Sequence, residues 1–321
     1  KKLRCSYSIV LHHFYPESEL RPMFESLKRK RSGDDCSVDA IDLEQVGNSA
    51  SAVVQASFHG HRSPVPTEFP SRYAITFGET AILHIGGQEF GAGHRDAGFS
   101  VSELGKLGEA IPHSELIILS DDLPAHLQAG HEAAVLVLRQ GAQTLLKEPG
   151  AALNLWLEQE KVEYDRKFFD RGRTKNKVAR HNTVFGDQGQ QASEDYRKCT
   201  VQAFSELPWL ARFRASLPEA FGPKAANLNA EGNHYYASSC GIGFHGDSER
   251  KVVICLSLGA TSTLRYCWRA PHSVDPFGKP IDIRVQHGDV YVMSEKATGF
   301  DWRSRSQYRL VHAAGAAKYI K

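Results

Sequence analysis

His245 and Asp247 stand two residues apart in Phe244-His245-Gly246-Asp247-Ser248-Glu249-Arg250, and a further imidazole follows at His312. Side chains along an extended strand repeat with period 2. His245 and Asp247 therefore point to one face, while Gly246 points to the other and leaves room behind them. A His-x-Asp pair closed by a distant histidine forms the facial triad that holds non-haem Fe(II). It leaves the opposite side of the octahedron for a bidentate oxo acid and O2. The spacing predicts an oxygenase. The pattern recurs at His287-Gly288-Asp289, but there the chain reaches Lys321 before the strands of a barrel can intervene. That second pair reads as a tight turn.

The elements that must position the triad follow Asp247. Val252-Val253-Ile254-Cys255-Leu256-Ser257-Leu258, Leu264-Arg265-Tyr266-Cys267-Trp268, Ile281-Asp282-Ile283-Arg284-Val285 and Val290-Tyr291-Val292-Met293 are short β-branched and aromatic runs split by Gly and Pro turns. That is the pattern of a jelly roll. The expected class is α+β, with a C-terminal double-stranded β-helix over residues 151–321 and a small N-terminal α/β domain of unassigned role over 1–150. Within the N-terminal part, strands are expected at 6–12, 38–43 and 52–58 around a helix opening at Glu17. Pro64-Val65-Pro66 and Pro70 mark a break near 64–72. Further strands are expected at Tyr73-Ala74-Ile75-Thr76-Phe77-Gly78, Leu116-Ile117-Ile118-Leu119 and Ala134-Val135-Leu136-Val137-Leu138, with a helix at 102–110. His94, His113, His126 and His131 lack ligand spacing and read as surface histidines.

The segment from Asn233-His234-Tyr235 to Arg250 resembles the AlkB-like Fe(II)/2-oxoglutarate dioxygenases, whose pattern is Asn-x-Tyr, a Gly-containing loop and His-x-Asp-x-Glu-Arg. The match extends to both sides. Arg180-His181-Asn182-Thr183-Val184-Phe185-Gly186-Asp187 is similar to the strand that the family's duplex-DNA repair members hold near the target base, and Gly288-Asp289-Val290-Tyr291-Val292-Met293 is similar to the family's Gly-Asp strand before the distal histidine. Several spaced motifs agree in order over about the last 150 residues. The resemblance implies Fe(II) on His245, Asp247 and His312, 2-oxoglutarate against Asn233 and Tyr235, O2 as the oxidant, and a substrate met by Arg180, Glu249 and Arg250. An amide and a phenol agree with this, since both offer neutral donors to a carboxylate or keto oxygen.

One departure concerns the carboxylate of 2-oxoglutarate remote from iron, which the family anchors with arginine well beyond the last histidine. Here no arginine lies between His312 and Lys321. Lys318 is the candidate in the tail, able to bind as a point charge and not as a fork, and Arg309 competes with it. The chain opens on Lys1-Lys2, so a trimmed fragment with its arginine past Lys321 is the third candidate. A second departure is the long polar stretch Ser294-Glu295-Lys296-Ala297-Thr298-Gly299-Phe300-Asp301-Trp302-Arg303-Ser304-Arg305. It reads either as a solvated loop or as a lid, with Trp302 for stacking and Arg303 and Arg305 for phosphates.

Composition bounds the partners. The chain has 321 residues, 41% apolar and 24% charged, with a net charge of only +2, so no global field favours nucleic acid. The charge is local: residues 166–180 carry seven Lys or Arg against one Asp, interleaved with Phe168 and Phe169. Such an edge can track phosphates through Arg171, Arg173 and Lys175, or can simply be a solvated face. The six cysteines show no Cys-x-x-Cys spacing and read as the reduced thiols of an intracellular protein, nuclear or cytoplasmic. No apolar run approaches the roughly 20 residues of a membrane span. The expected substrate is a modified base in DNA or RNA, hydroxylated or oxidatively demethylated. A peptidyl hydroxylase using the same chemistry is the alternative, favoured by a lysine in the tail.

Overall fold

The computed structural model describes residues 69–82, 88–91 and 97–321, together with the backbone of 8–10, 41–45 and 52–56. The chain divides into two compact units, Lys1–Val65 and Pro66–Lys321. In the first, β1 (Ser8–Val10), β2 (Ile41–Gln45) and β3 (Ala52–Ala56) form an antiparallel sheet of order β1-β3-β2. The helix expected from Glu17 lies outside the described residues, as do His94, Cys5 and Cys36.

The second unit holds β4 (Arg72–Gly78), β5 (Thr80–Ile82), β6 (Glu89–Gly91), β7 (Ser114–Ile118), β8 (Ala134–Leu138), β9 (Lys167–Asp170), β10 (Arg173–Asn176), β11 (His181–Gly186), β12 (Val201–Ala203), β13 (Asn229–Tyr235), β14 (Gly241–His245), β15 (Val253–Gly259), β16 (Ser262–Arg269), β17 (Pro276–Val285), β18 (Val290–Met293) and β19 (Arg309–Gly315). An eight-stranded sheet runs β12-β11-β13-β4-β15-β18-β8-β7, antiparallel except for the β11–β12 pair, and a four-stranded antiparallel sheet runs β14-β19-β16-β17. β5–β6 and β9–β10 are separate hairpins.

The boundary at 65/66 corrects the division expected at residue 150 and coincides with the proline-marked break. The reason is pairing. β4 sits between β13 and β15, with Tyr235 opposite Arg72 on one side and Ile254 opposite Phe77 on the other. β8 likewise pairs with β18. β4 and β8 are therefore interior rungs of the large sheet, and cutting them away would strip β13, β15 and β18 of backbone partners.

Period 2 divides the large sheet into two faces. Tyr73, Ile75 and Phe77 of β4, with Leu136 and Leu138 of β8 and Ile254, Leu256 and Leu258 of β15, pack against helices α1 (Val101–Ala110), α4 (Ala151–Gln159) and α5 (Pro208–Phe221). Two shorter helices, α2 (Ala125–Gln128) and α3 (Gly141–Leu146), lie between α1 and α4 in the chain. In α5, Pro208 stands in the first turn, where its missing N–H is not needed, and Leu210, Phe213, Leu217 and Phe221 recur at helical spacing on the buried stripe. The other face of the large sheet meets the four-stranded sheet. Val135, Val137, Val253, Cys255, Tyr291 and Met293 form one core with Leu264, Tyr266, Trp268, Ile283, Val285, Leu310 and Ala314. The unit is thus strand-rich and mixed, with helices on one side of a large antiparallel sheet and a smaller sheet on the other. Among the described residues no helix is long and apolar enough to cross a membrane.

Candidate metal centre

β14 and β19 run antiparallel and bring His245 directly opposite His312, with ring centroids 4.5 Å apart. β14 ends at His245, so Asp247 lies in the turn beyond it and not on the strand itself. What holds it in place is its own N–H, which donates to the carbonyl of Thr298 at 2.9 Å. Asp247 Oδ1 then stands 3.7 Å from Nε2 of His245 and 4.0 Å from Nε2 of His312, and one ligand atom from each residue falls within 4.8 Å of the others. Gly246 is required by close approach: a Cβ there would lie 2.1 Å from the carbonyl oxygen of Gly299.

The protonation states suit a divalent cation. Nδ1 of His245 lies 2.8 Å from the carbonyl of Gly243 and donates to it, which leaves the Nε2 lone pair toward Asp247. Burial pushes the His245 imidazolium below its ordinary range, and burial together with the neighbouring His245 pushes His312 down to about 3. Burial alone would raise Asp247, but the charges around it, that of Arg250 foremost, outweigh it and hold the carboxyl low. Two neutral imidazoles and one ionised carboxylate are the donor set a metal needs, since every ligand must be deprotonated at the metal.

Arg250 orients Asp247. Buried at 3% side-chain exposure, it reaches Glu231 (3.2 Å) and Glu249 (2.8 Å) through Nη2, and its Nε stands 3.7 Å from Asp247 Oδ2. The second carboxylate oxygen thus faces arginine, while Oδ1 faces the histidines. Glu249 is pushed up to about 7, chiefly by burial. Both residues were expected to meet the substrate. They line the cavity wall, but Arg250 is committed to this buried ion network.

A cavity of about 800 Å³ opens over the triad between the two sheets. Its wall includes Asn233 and Tyr235 of β13, at alternate positions on one face, with Arg180, Trp302 and Arg303 among the lining residues. Asn233 Oδ1 accepts from Nε of Arg180, which turns its amide so that the NH2 is the donor left for a ligand. Burial raises the Tyr235 phenol, which stays a donor.

The two expected anchor cations lie elsewhere. Lys318 is exposed, absent from the cavity lining, with its ammonium 5.0 Å from the ring centroid of Tyr319. Arg309 is buried on the opposite face of β19 from His312, as the odd spacing requires, and donates to the carbonyls of Ala270 (3.2 Å), Ser273 and Trp302 (3.5 Å). The cation that sequence reasoning missed is Arg72. It leads the strand in which Arg72, Ala74 and Thr76 share the cavity face while Tyr73, Ile75 and Phe77 share the core face. That polar-and-small alternation against a bulky apolar one was the available signal.

The 294–305 stretch divides. Trp302 and Arg303 line the cavity, with the guanidinium carbon of Arg303 5.6 Å from the Trp302 ring centroid, whereas Arg305 is exposed and off the lining. The basic segment forms the β9–β10 hairpin, turning through Arg171 (φ 48°). Phe168 and Asp170 of the hairpin reach the cavity, Arg171 and Arg173 are exposed outside it, and Lys175 pairs with Asp170 at 2.5 Å. His287-Gly288-Asp289 is a turn. Gly288 has φ 82°, His287 Nδ1 accepts from the N–H of Gly259 at 3.0 Å, and Asp289 accepts from Arg139 at 2.8 Å and from the N–H groups of Gln140 and Gln286. Cys240, Cys255 and Cys267 are buried free thiols and Cys199 is half-buried and free.

No protein-family model matches the chain. It is 36% identical to an uncharacterized protein of Acanthamoeba polyphaga mimivirus over 261 residues, which cover 79% of this chain and 100% of that protein.

Proposed function

The chain belongs to the family of that mimiviral protein, and from the site it carries we propose that it is an Fe(II)/2-oxoglutarate-dependent dioxygenase acting on a modified base in nucleic acid. The observation that carries the reading is the convergence of one ligand atom each from His245, Asp247 and His312 within 4.8 Å on the wall of a cavity between two facing sheets. Two imidazoles and a carboxylate on one side of a site fit Fe(II) with open positions. The two facing sheets, with the two histidines on neighbouring strands of the smaller one and Asp247 in the turn after the first, are compatible with a double-stranded β-helix.

Iron, 2-oxoglutarate and O2, when bound, supply the oxidation: decarboxylation to succinate and CO2 coupled to conversion of a substrate C–H into C–OH. This chain's residues supply position. Asn233 and Tyr235 donate to the oxo acid, Arg180 holds the Asn233 amide in register, and Arg250 holds Asp247 ionised. On an N-methyl base the hydroxymethyl product releases formaldehyde and restores the base; on a C-methyl base it stays an alcohol.

Trp302 and Arg303 at the cavity, and the exposed Arg171 and Arg173 on a hairpin whose Phe168 reaches it, support a nucleic-acid substrate. A ring for base stacking stands beside cations for phosphates. The peptidyl-hydroxylase alternative loses its motive, because Lys318 lies off the cavity. The test is succinate release by the full chain with Fe(II) against methylated single- and double-stranded DNA and RNA, with peptides for comparison. Turnover on peptides alone would reject the nucleic-acid reading.

A further inference from the structure

Arg72 is 4% exposed, lines the cavity, and its Nε and Nη1 donate to no group. A guanidinium cannot discharge itself by losing a proton, and burying it unpaired costs several kcal/mol. The four arginines of the cavity wall differ in their acidic partners. Arg180 bonds Asn233 and lies 4.0 Å from Glu231, Arg250 also leaves Nε and Nη1 without a hydrogen bond but is held by Glu231 and Glu249 through Nη2, and Arg303 is exposed over Trp302. Among the described residues Arg72 has no acidic partner. Its guanidinium carbon instead lies 4.8 Å from the ring centroid of Tyr235, the residue opposite it across the β4–β13 ladder. The ring covers one flat face of the guanidinium and leaves its N–H edges, and the two unpartnered donors, Nε and Nη1, stand on different edges, each beside Nη2.

We infer that Arg72 is the anion anchor of this cavity, gripping a carboxylate of a short dicarboxylic acid through two parallel N–H···O bonds from one edge, Nη2 together with Nε or with Nη1, with the Tyr235 ring behind it. The choice of ligand rests on the reading proposed above: the carboxylate is the one in 2-oxoglutarate remote from the 2-oxo group. Facing sheets stand about 10 Å apart, a gap that an arginine from the large sheet and a short dicarboxylate held at the small one close between them. The anchor thus comes from β4, upstream of the triad in sequence, and not from the chain's end. Tyr235 then has two roles, as phenol donor and as the surface that sets the plane of the fork.

The test titrates the chain Lys1–Lys321 and its Arg72→Gln and Arg72→Lys variants with two 2-oxo acids in the presence of Mn(II), a redox-silent stand-in. 2-Oxoglutarate carries the remote carboxylate and pyruvate does not. Calorimetry should show 2-oxoglutarate affinity falling about 100-fold in Arg72→Gln, as expected for a two-pronged charged hydrogen bond, with pyruvate affinity unchanged and Arg72→Lys intermediate. Equal affinities of wild type and Arg72→Gln for 2-oxoglutarate, or an equal loss for both acids, would overturn the inference. Glutarate, which cannot chelate, is titrated into the metal-free protein alongside, with melting curves reporting whether each variant is folded. Glutarate binding that vanishes in folded Arg72→Gln, with no Mn(II) binding in wild type, keeps the anchor and rejects the metal reading. Wild-type protein that binds neither glutarate nor 2-oxoglutarate rejects the anchor.

Discussion

Arg250 places Nε 3.7 Å from Oδ2 of Asp247 while the other oxygen of the same carboxylate faces His245 and His312. A buried cation thus holds a candidate metal ligand ionised and aimed, three residues away in sequence. Replacing it with methionine leaves Glu231, Glu249 and Asp247 buried without their common partner. Arg250→Met is expected to destabilise the fold by about 3–5 kcal/mol and to weaken metal binding. Denaturant melts at neutral pH and Mn(II) titration measure the two effects. A melt within error of wild type would show that the network is not structural.

The triad itself is tested by His245→Ala, Asp247→Ala and His312→Ala. Each is expected to lose bound metal and turnover, and the two histidine variants should keep the fold, because neutral imidazoles leave no charge stranded. His287→Ala serves as the control, since its ring stacks on Phe69 at 4.3 Å, outside the cavity. Full metal content in His312→Ala together with loss in His287→Ala would mean that the wrong histidine has been assigned.

Gly246→Ala isolates geometry from ligand chemistry. The added methyl would stand 2.1 Å from a backbone oxygen, which cannot rotate away, so the Asp247 turn must shift. Metal affinity is expected to fall about 10- to 100-fold, the range seen when a ligand's support is disturbed, while the far-ultraviolet dichroism stays unchanged. Unaltered metal affinity would show that the turn has slack.

Arg171→Ala with Arg173→Ala reads the hairpin. If both meet phosphates, the slope of log affinity against log salt for an oligonucleotide should flatten by roughly one unit per lost contact, slightly less on a single strand. Parallel salt plots for variant and wild type would remove the hairpin from the interface.

Acid stability carries a signature of His234. Its ring stacks on Tyr73 with centroids 4.4 Å apart and lies near Tyr164, His181 and Tyr236. Burial, with the charges of His181 and Arg166, pushes it down to about 4. The unfolded chain takes up a proton near the ordinary histidine pKa of about 6.5, so protons favour unfolding in between. Stability is full above that value and is lost as pH falls toward 4. His234→Phe, which keeps the stack and removes the titration, should flatten this limb in melts run across that range.

What the sequence determined is whatever depends on neighbours along the chain. The identity and spacing of His245, Gly246 and Asp247, the alternation that turns Asn233 and Tyr235 to one side, the strands after Val252 and the break at the prolines near 64–72 all rest on local periodicity and turn chemistry. These survive in one dimension because a two-residue repeat or a proline acts on the backbone next to it. What only the tertiary structure decided is which distant strands pair and which face each presents. Arg309 was a fair candidate until β19 took its register opposite β14 and β16. With His312 on the cavity side, a residue three positions earlier had to point away. Arg72 lay in the half of the chain expected to be a separate domain, and it reached the site only because β4 inserted between β13 and β15. Strand order in a sheet is set by burying two faces at once, by helices on one side and a second sheet on the other. That condition involves the whole chain and leaves no mark at any single position.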